Sequence, residues 1–218
     1  VSLLCLRQIF QWRQLHRLCR RAVPLDAAWQ QRFEALKQRL GVRFRVGLRQ
    51  SADVALPMLV GILRPTILLP AGLMLRLPAD LIELILLHEL APLRRLDPLF
   101  NLLQTVVETL LFYHPGVHWI SRRLREDREL CCDEIVLANG ADPMRYARVL
   151  LALAEAQSAP TPALALAATG GALMQRIERI VDLPQAAQGS PKALGPAGVM
   201  LGVALLGAVL LQGQARWT

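Results

Sequence analysis

The chain has 218 residues, enough for one good-sized core or for a smaller domain joined to a membrane helix. Apolar residues make up 54% and charged residues 19%, a balance that excludes a disordered chain. The formal charge of +8 makes nucleic acid or an anionic membrane surface the first partners to consider, and only Lys37 and Lys192 among its 25 basic residues are not Arg. Cys5, Cys19, Cys131 and Cys132 form no C-x-x-C pair, which argues against a zinc ribbon, a thioredoxin-type site or a disulfide framework.

The charge is concentrated at one end. Residues 1–49 carry eleven basic and two acidic residues, whereas residues 50–218 carry fourteen and fifteen. Val1 to Leu6, Ile9, Phe10 and Trp12 are followed by Arg13, Arg17, Arg20 and Arg21. Over residues 1–21 the pattern fits the end of a membrane helix with a basic cytoplasmic collar. A solvated basic amphipathic helix fits the same residues. The opening Val1 is what a fragment or processed product would show. No zinc-finger spacing or aromatic RNA-binding pattern accompanies the charge, so direct nucleic-acid binding is not expected.

Val42, Phe44, Val46 and Leu48 alternate with Arg43, Arg45, Gly47 and Arg49, which predicts a half-exposed strand. Apolar runs at 55–60 and 66–69, punctuated by Gly61, Pro65 and Pro70, complete a small β-ribbon. Residues 78–93 predict a helix opened by Pro78 and Asp80, apolar on almost every face and therefore buried. Asp97-Pro98 and Asp142-Pro143 pair a good N-cap with a good first residue and start two more helices. A helix over 115–138 runs from His114-Pro115 to Asn139-Gly140. Ser158 to Thr169 reads as a linker or lid-like loop, and 170–183 as a short amphipathic helix. From Ala193 to Leu211 no charged or strongly polar residue occurs, and Lys192, Arg216 and Trp217 flank the run. At 1.5 Å per residue it spans roughly 28 Å, the thickness of a bilayer core. The fold class is thus mainly α with a small β-ribbon. Its expected divisions are 1–21, a domain over 22–184, a linker over 185–192 and a transmembrane helix over 193–213.

The chemistry lies in the polar residues of the apolar helix. His88-Glu89-Leu90-Ala91-Pro92 carries the first His and the Glu of H-E-x-x-H. That motif sets two His one turn apart to bind zinc, and its Glu takes a proton from metal-bound water. Pro92 stands where the second His belongs. Proline lacks an N–H, and its ring crowds the carbonyl four residues back, that of His88, at a cost of about 3 kcal/mol or a kink. Glu129 and Asp133 share one face of helix 115–138. They fit a carboxylate ligand and its support, or ordinary salt bridges to Arg122, Arg125 and Arg128.

Several segments together resemble the integral-membrane zinc metallopeptidases of the BlaR/MecR antirepressor type, from about Leu56 to Ala154. They are the strand region Pro57 to Pro70; His88-Glu89-Leu90-Ala91 with Arg94, Arg95 and Asp97; Asn101; Phe112-Tyr113-His114-Pro115 with Trp119; and Arg128-Glu129-Leu130-Cys131-Cys132-Asp133. The resemblance implies a zincin-like, gluzincin-type domain joined to membrane helices and facing the cytoplasm of a bacterium. It implies one zinc ion, with His88 and Glu129 as ligands, Glu89 as general base and Asp133 supporting a ligand. Implied partners are membrane lipid and a protein or peptide substrate, a transcriptional repressor among the kinds the family acts on.

Pro92 departs from the family pattern and leaves His88 and Glu129 as the ligands. Three accounts stay open: a degenerate peptidase with weak or absent zinc binding, a site completed by His114 or His118, or a single-base change of an active sequence. The rival to an enzyme is a non-enzymatic membrane signalling or scaffold protein that binds a partner through the same fold.

Overall fold

In the computed structural model, residues 2–157 and 162–182 are described. The chain divides into two units, Val1–Ala186 and Ala187–Thr218, and the second lies outside the described residues. So do the expected linker over 185–192 and the span over 193–213.

The first helix, α1 (Ser2–Arg21), runs unbroken into the basic collar, with Arg20 and Arg21 in its last turn, where positive charge suits the helix dipole. Among the described residues no helix is long and apolar enough to cross a membrane. Next come β1 (Val23–Pro24) and α2 (Ala27–Leu40), which is capped by Asp26 accepting a hydrogen bond from the Trp29 N–H at 2.8 Å.

The predicted ribbon is a four-stranded mixed sheet. β2 (Gly47–Ser51), β3 (Met58–Val60) and β4 (Thr66–Pro70) join β1 in the order β1-β2-β4-β3. β2 and β4 are parallel, with Leu48 opposite Ile67, while β3 runs antiparallel to β4. Gly61 opens the β3–β4 turn at φ 93°, where a Cβ would meet the Arg64 carbonyl oxygen at 2.9 Å. The alternation over 42–49 does not make one strand, because β2 begins only at Gly47. Val42 and Val46 are buried as the chain leaves α2, and the Val42 N–H is still bonded to the Lys37 carbonyl. Their alternation serves a helix exit rather than a pleated face.

After α3 (Ala71–Arg76), the apolar helix α4 (Ala79–Arg94) forms the centre. It packs against α2, α5 (Asp97–Leu110), α6 (Pro115–Ala138) and α7 (Pro143–Gln157). Ile85, Leu86, Leu90 and Leu93 are almost fully buried, which explains the helix's lack of a polar side. α4 continues through Pro92 and ends two residues later. Pro92 has no N–H to offer the His88 carbonyl, so one rung of the helix ladder is missing there.

Two start signals resolve differently. Asp142 caps α7, accepting from the Arg145 N–H at 2.8 Å. Asp97 does not cap α5: the residue before it, Leu96, is left-handed at φ 61°, and the Asp97 carboxylate is buried toward Arg95, with Nε 3.7 Å from Oδ1. Burial wins over capping because the α4–α5 turn carries Asp97 inward. The last described helix, α8 (Pro162–Asp182), begins eight residues before the predicted one. The stretch 162–169, expected to be linker, is helical. Pro162 occupies a first helical position, where it is favoured, and Ala and Leu are strong helix formers. Residues 158–161 of that linker lie outside the described residues.

Candidate metal centre

α4 and α6 cross so that His88 faces Glu129 and Asp133, with α7 and α8 closing the other sides. His88 Nε2 lies 3.4 Å from Glu129 Oε2. Its other ring nitrogen, Nδ1, is 2.7 Å from the hydroxyl of Tyr146 on α7. That hydroxyl donates to Asp133 Oδ1 at 2.6 Å, so the tyrosine oxygen accepts from His88 Nδ1–H. The ring is thereby fixed with Nε2 aimed at Glu129, which is how a buried hydrogen-bond partner orients a metal-binding imidazole. Asp133 is thus linked to His88 through the Tyr146 hydroxyl.

The fifth contributor is Arg176 on α8. Its Nε donates to Asp133 Oδ2 and its Nη2 to Asp133 Oδ1, both at 2.7 Å. Its Nη1 stands 3.2 Å from Glu129 Oε2. Asp133 is buried, and this two-pronged contact neutralises a carboxylate that would otherwise be costly to bury. Salt bridging of Glu129 and Asp133 is thus real, but its cation is Arg176 and not Arg122, Arg125 or Arg128. Arg128 turns instead toward α5, to Asn101 and to Gln104 Oε1 at 2.6 Å.

The electrostatics follow the geometry. Burial pulls the His88 imidazole down, but its contact with Glu129 and the charges of Glu89, Glu129 and Asp133 outweigh that and raise it above its ordinary value. Glu129 is held below the ordinary carboxylate range, first by His88, with burial opposing and Arg176 adding to the fall. Glu89 moves the other way: burial pushes its carboxyl up, His88 lowers it and Glu129 raises it again. Two carboxylates beside one histidine therefore differ in character, Glu129 ionised and Glu89 the more easily protonated.

Two ligands bound at about 2.0 Å to a tetrahedral zinc ion stand about 3.3 Å apart. His88 Nε2 and Glu129 Oε2, 3.4 Å apart, stand at about that separation, which is equally that of an ion pair between the two side chains. A catalytic zinc site takes three protein ligands, and Pro92 supplies no donor atom. Among the described residues no three His, Cys, Asp or Glu side chains are grouped to hold a metal ion. His114 and His118 do not fill the gap. They lie fifteen and eleven residues before Glu129 on or beside α6, about 22 and 16 Å along the helix axis. His118 Nε2 is 2.8 Å from the Phe112 carbonyl oxygen. The donor set as it stands falls one short of zinc, and the Arg176 guanidinium leans on one of the two that remain.

Arg176 and Tyr146 were not legible as site residues from the sequence. Arg176 sits on the helix predicted over 170–183, but nothing local names a partner 43 residues away. Tyr146 lies in the apolar stripe of α7 with Ala147, Val149 and Leu150, and its only signal was a polar tip on a buried aromatic.

A helix bearing His-Glu, a second helix bringing Glu129 to it and a small mixed sheet beside them are consistent with a metallopeptidase domain. The chain belongs to the BlaR1 peptidase M56 family, whose model matches residues 1–180. It is similar to the regulatory protein BlaR1 of Bacillus licheniformis, 26% identical over 180 residues, which cover 82% of this chain and 30% of that protein. It is also similar to the methicillin resistance mecR1 proteins of Staphylococcus aureus and Staphylococcus epidermidis, 28% identical over 108 residues, which cover 49% of this chain and 18% of each relative. The chain thus spans less than a third of the length of these relatives. Peptidases of the family are in general zinc-dependent.

Proposed function

We propose that this chain is the peptidase portion of a BlaR/MecR-type signalling protein of a bacterial cytoplasmic membrane, with metal binding impaired by Pro92. The observation that carries the reading is the His88–Glu129 pair, set at ligand separation and oriented by Tyr146 and Asp133, beside a helix position that lacks its donor. Membrane residence rests on the uncharged run 193–211 and the basic residues 13–21, with the domain on the cytoplasmic side.

Zinc in this family supplies Lewis acidity and activated water. The chain's own residues hold the rest of the arrangement. Glu89 keeps a carboxyl of raised proton affinity next to His88, suited to accepting and returning a proton. Edge strand β3 leaves one side unpaired within the sheet, where an extended protein or peptide substrate such as a transcriptional repressor would add as a further strand.

The alternative is a non-enzymatic signalling or scaffold protein using the same fold. Arg176 favours it, since a guanidinium bound to Glu129 and Asp133 stabilises the site without a metal. Peptide hydrolysis by the purified full chain, with zinc supplied, tests the loss of activity that both readings share. Impairment predicts cleavage at or near background. Turnover that disappears in Glu89→Gln would show an intact peptidase and overturn the impairment.

A further inference from the structure

The α5–α6 hairpin carries an apolar surface that the site does not use. Leu99, Leu102, Leu103, Val106 and Leu110 recur at helical spacing on α5, and all are exposed. Phe112 and Tyr113 in the connection, then Trp119 and Ile120 on α6, extend the surface around the tip, with Tyr113 67% and Trp119 64% exposed. An apolar patch of this extent on a folded domain marks an interaction surface.

The polar groups of the hairpin point to what covers it. The charges of α5 are Asp97, which is buried, and Glu108, which accepts from Gln104 at 3.0 Å and from Arg125 on α6 at 2.9 Å. Thr105 and Thr109 turn their hydroxyls back onto the carbonyls of Asn101 and Thr105, at 2.8 and 2.7 Å. The Asn101 side-chain oxygen accepts from Arg128. At the tip the Phe112 carbonyl is met by the His118 ring, and the N–H groups of Leu111 and His114 bond to Val107 and Leu111. Apart from Asp97 at the buried start of α5, whose Oδ2 lacks a hydrogen-bond partner among the described residues, these groups find partners inside the protein, as groups at lipid depth must. Behind the aromatic tip stands Arg122, exposed and without an ion pair among the described residues. Aromatic side chains followed by arginine are the composition of a membrane–water interface, with the cation at the level of anionic headgroups.

We infer that the α5–α6 hairpin is seated in the anionic lipid interface, with the apolar face of α5 in contact with acyl chains and Arg122 at the headgroups. The inference takes from the proposed function only that a bilayer is at hand, and it is independent of the metal centre. A helix seated in this way lies in the plane of the interface, about 5–10 Å deep, and does not span.

The test uses the full chain reconstituted in vesicles of phosphatidylcholine and phosphatidylglycerol, with its native cysteines replaced. A fluorophore is placed at Leu103→Cys, at Val106→Cys or, as a control, at the exposed Arg148→Cys on α7. Lipids brominated on their acyl chains should reduce emission at 103 and 106 at least twofold, and aqueous iodide should scarcely affect it. Position 148 should show the reverse. Iodide quenching at 103 and 106 equal to that at 148 would overturn the inference. So would protection from both quenchers, which would mean that a second copy or another protein covers the face. Neither result depends on zinc or cleavage, so failure here is distinguishable from failure of the peptidase reading.

Discussion

Arg176 grips Asp133 through two hydrogen bonds of 2.7 Å and ties α8 to the helix that carries Glu129. Asp133 is buried, so removing the guanidinium leaves an uncompensated charge. Arg176→Met is expected to destabilise the domain by about 3 kcal/mol, and Arg176→Lys by less, because Lys keeps the positive charge although it cannot reproduce the two-pronged contact. Denaturant unfolding of the three proteins measures this. Equal midpoints for wild type and Arg176→Met would contradict it.

Tyr146 joins His88 to Asp133, and its ring is fully buried. Tyr146→Phe keeps the ring and removes the hydroxyl, so both neighbours lose a partner in a buried place. The expected loss is about 1–3 kcal/mol of stability. The same variant frees the imidazole to rotate, so it should further weaken any metal affinity that a restored ligand confers. A variant as stable as wild type would show that water replaces the hydroxyl.

On the proposed reading Pro92 acts twice, on the helix and on the ligand set, and two substitutions separate the effects. Pro92→Ala restores the N–H beneath the His88 carbonyl and should stabilise the domain, by up to about 3 kcal/mol, without creating a donor. Pro92→His should recover most of that stability and add a ligand. Thermal unfolding of both without metal is the measurement. If both unfold earlier than wild type, the surroundings have adapted to proline.

Cys132 lies in the core beside the site, and burial, with Glu129 next, pushes its thiol far above the ordinary range. Only the thiolate reacts, so Cys132 should resist alkylation at neutral pH until the protein is unfolded. Mass mapping of modified cysteines before and after denaturant tests this. Rapid native labelling of Cys132 would mean that α6 opens locally.

Much of this architecture was legible in the sequence because its signals are local. The apolar run of α4, the Pro115 and Asn139-Gly140 limits of α6 and the Asp142 cap of α7 are written within a few residues of where they act. His88 and Glu89 stand out by motif and Glu129 and Asp133 by helical spacing, their roles being implied by the family resemblance, and His88 lies 3.4 Å from Glu129 and 3.5 Å from Asp133. Sheet topology was not legible, because the parallel pairing of β2 with β4 joins strands separated by β3. Asp97 was misread because a cap and a buried acid look alike beside a proline, and the left-handed Leu96 that decides between them has no sequence signal. Arg176 and Tyr146 were missed because their roles depend on tertiary contacts across 43 and 58 residues.

On the proposed reading, one missing side chain at position 92 separates this site from a zinc centre. Zinc titration of the purified full chain beside Pro92→His and Pro92→Ala, read as metal bound per protein after removal of loosely held ions, tests it most directly. Well under one zinc is expected in wild type and in Pro92→Ala. Close to one is expected in Pro92→His, lost again when His88→Ala or Glu129→Gln is added. Stoichiometric zinc in the wild type would contradict it, and a metal-free Pro92→His would mean that more than this ligand is gone.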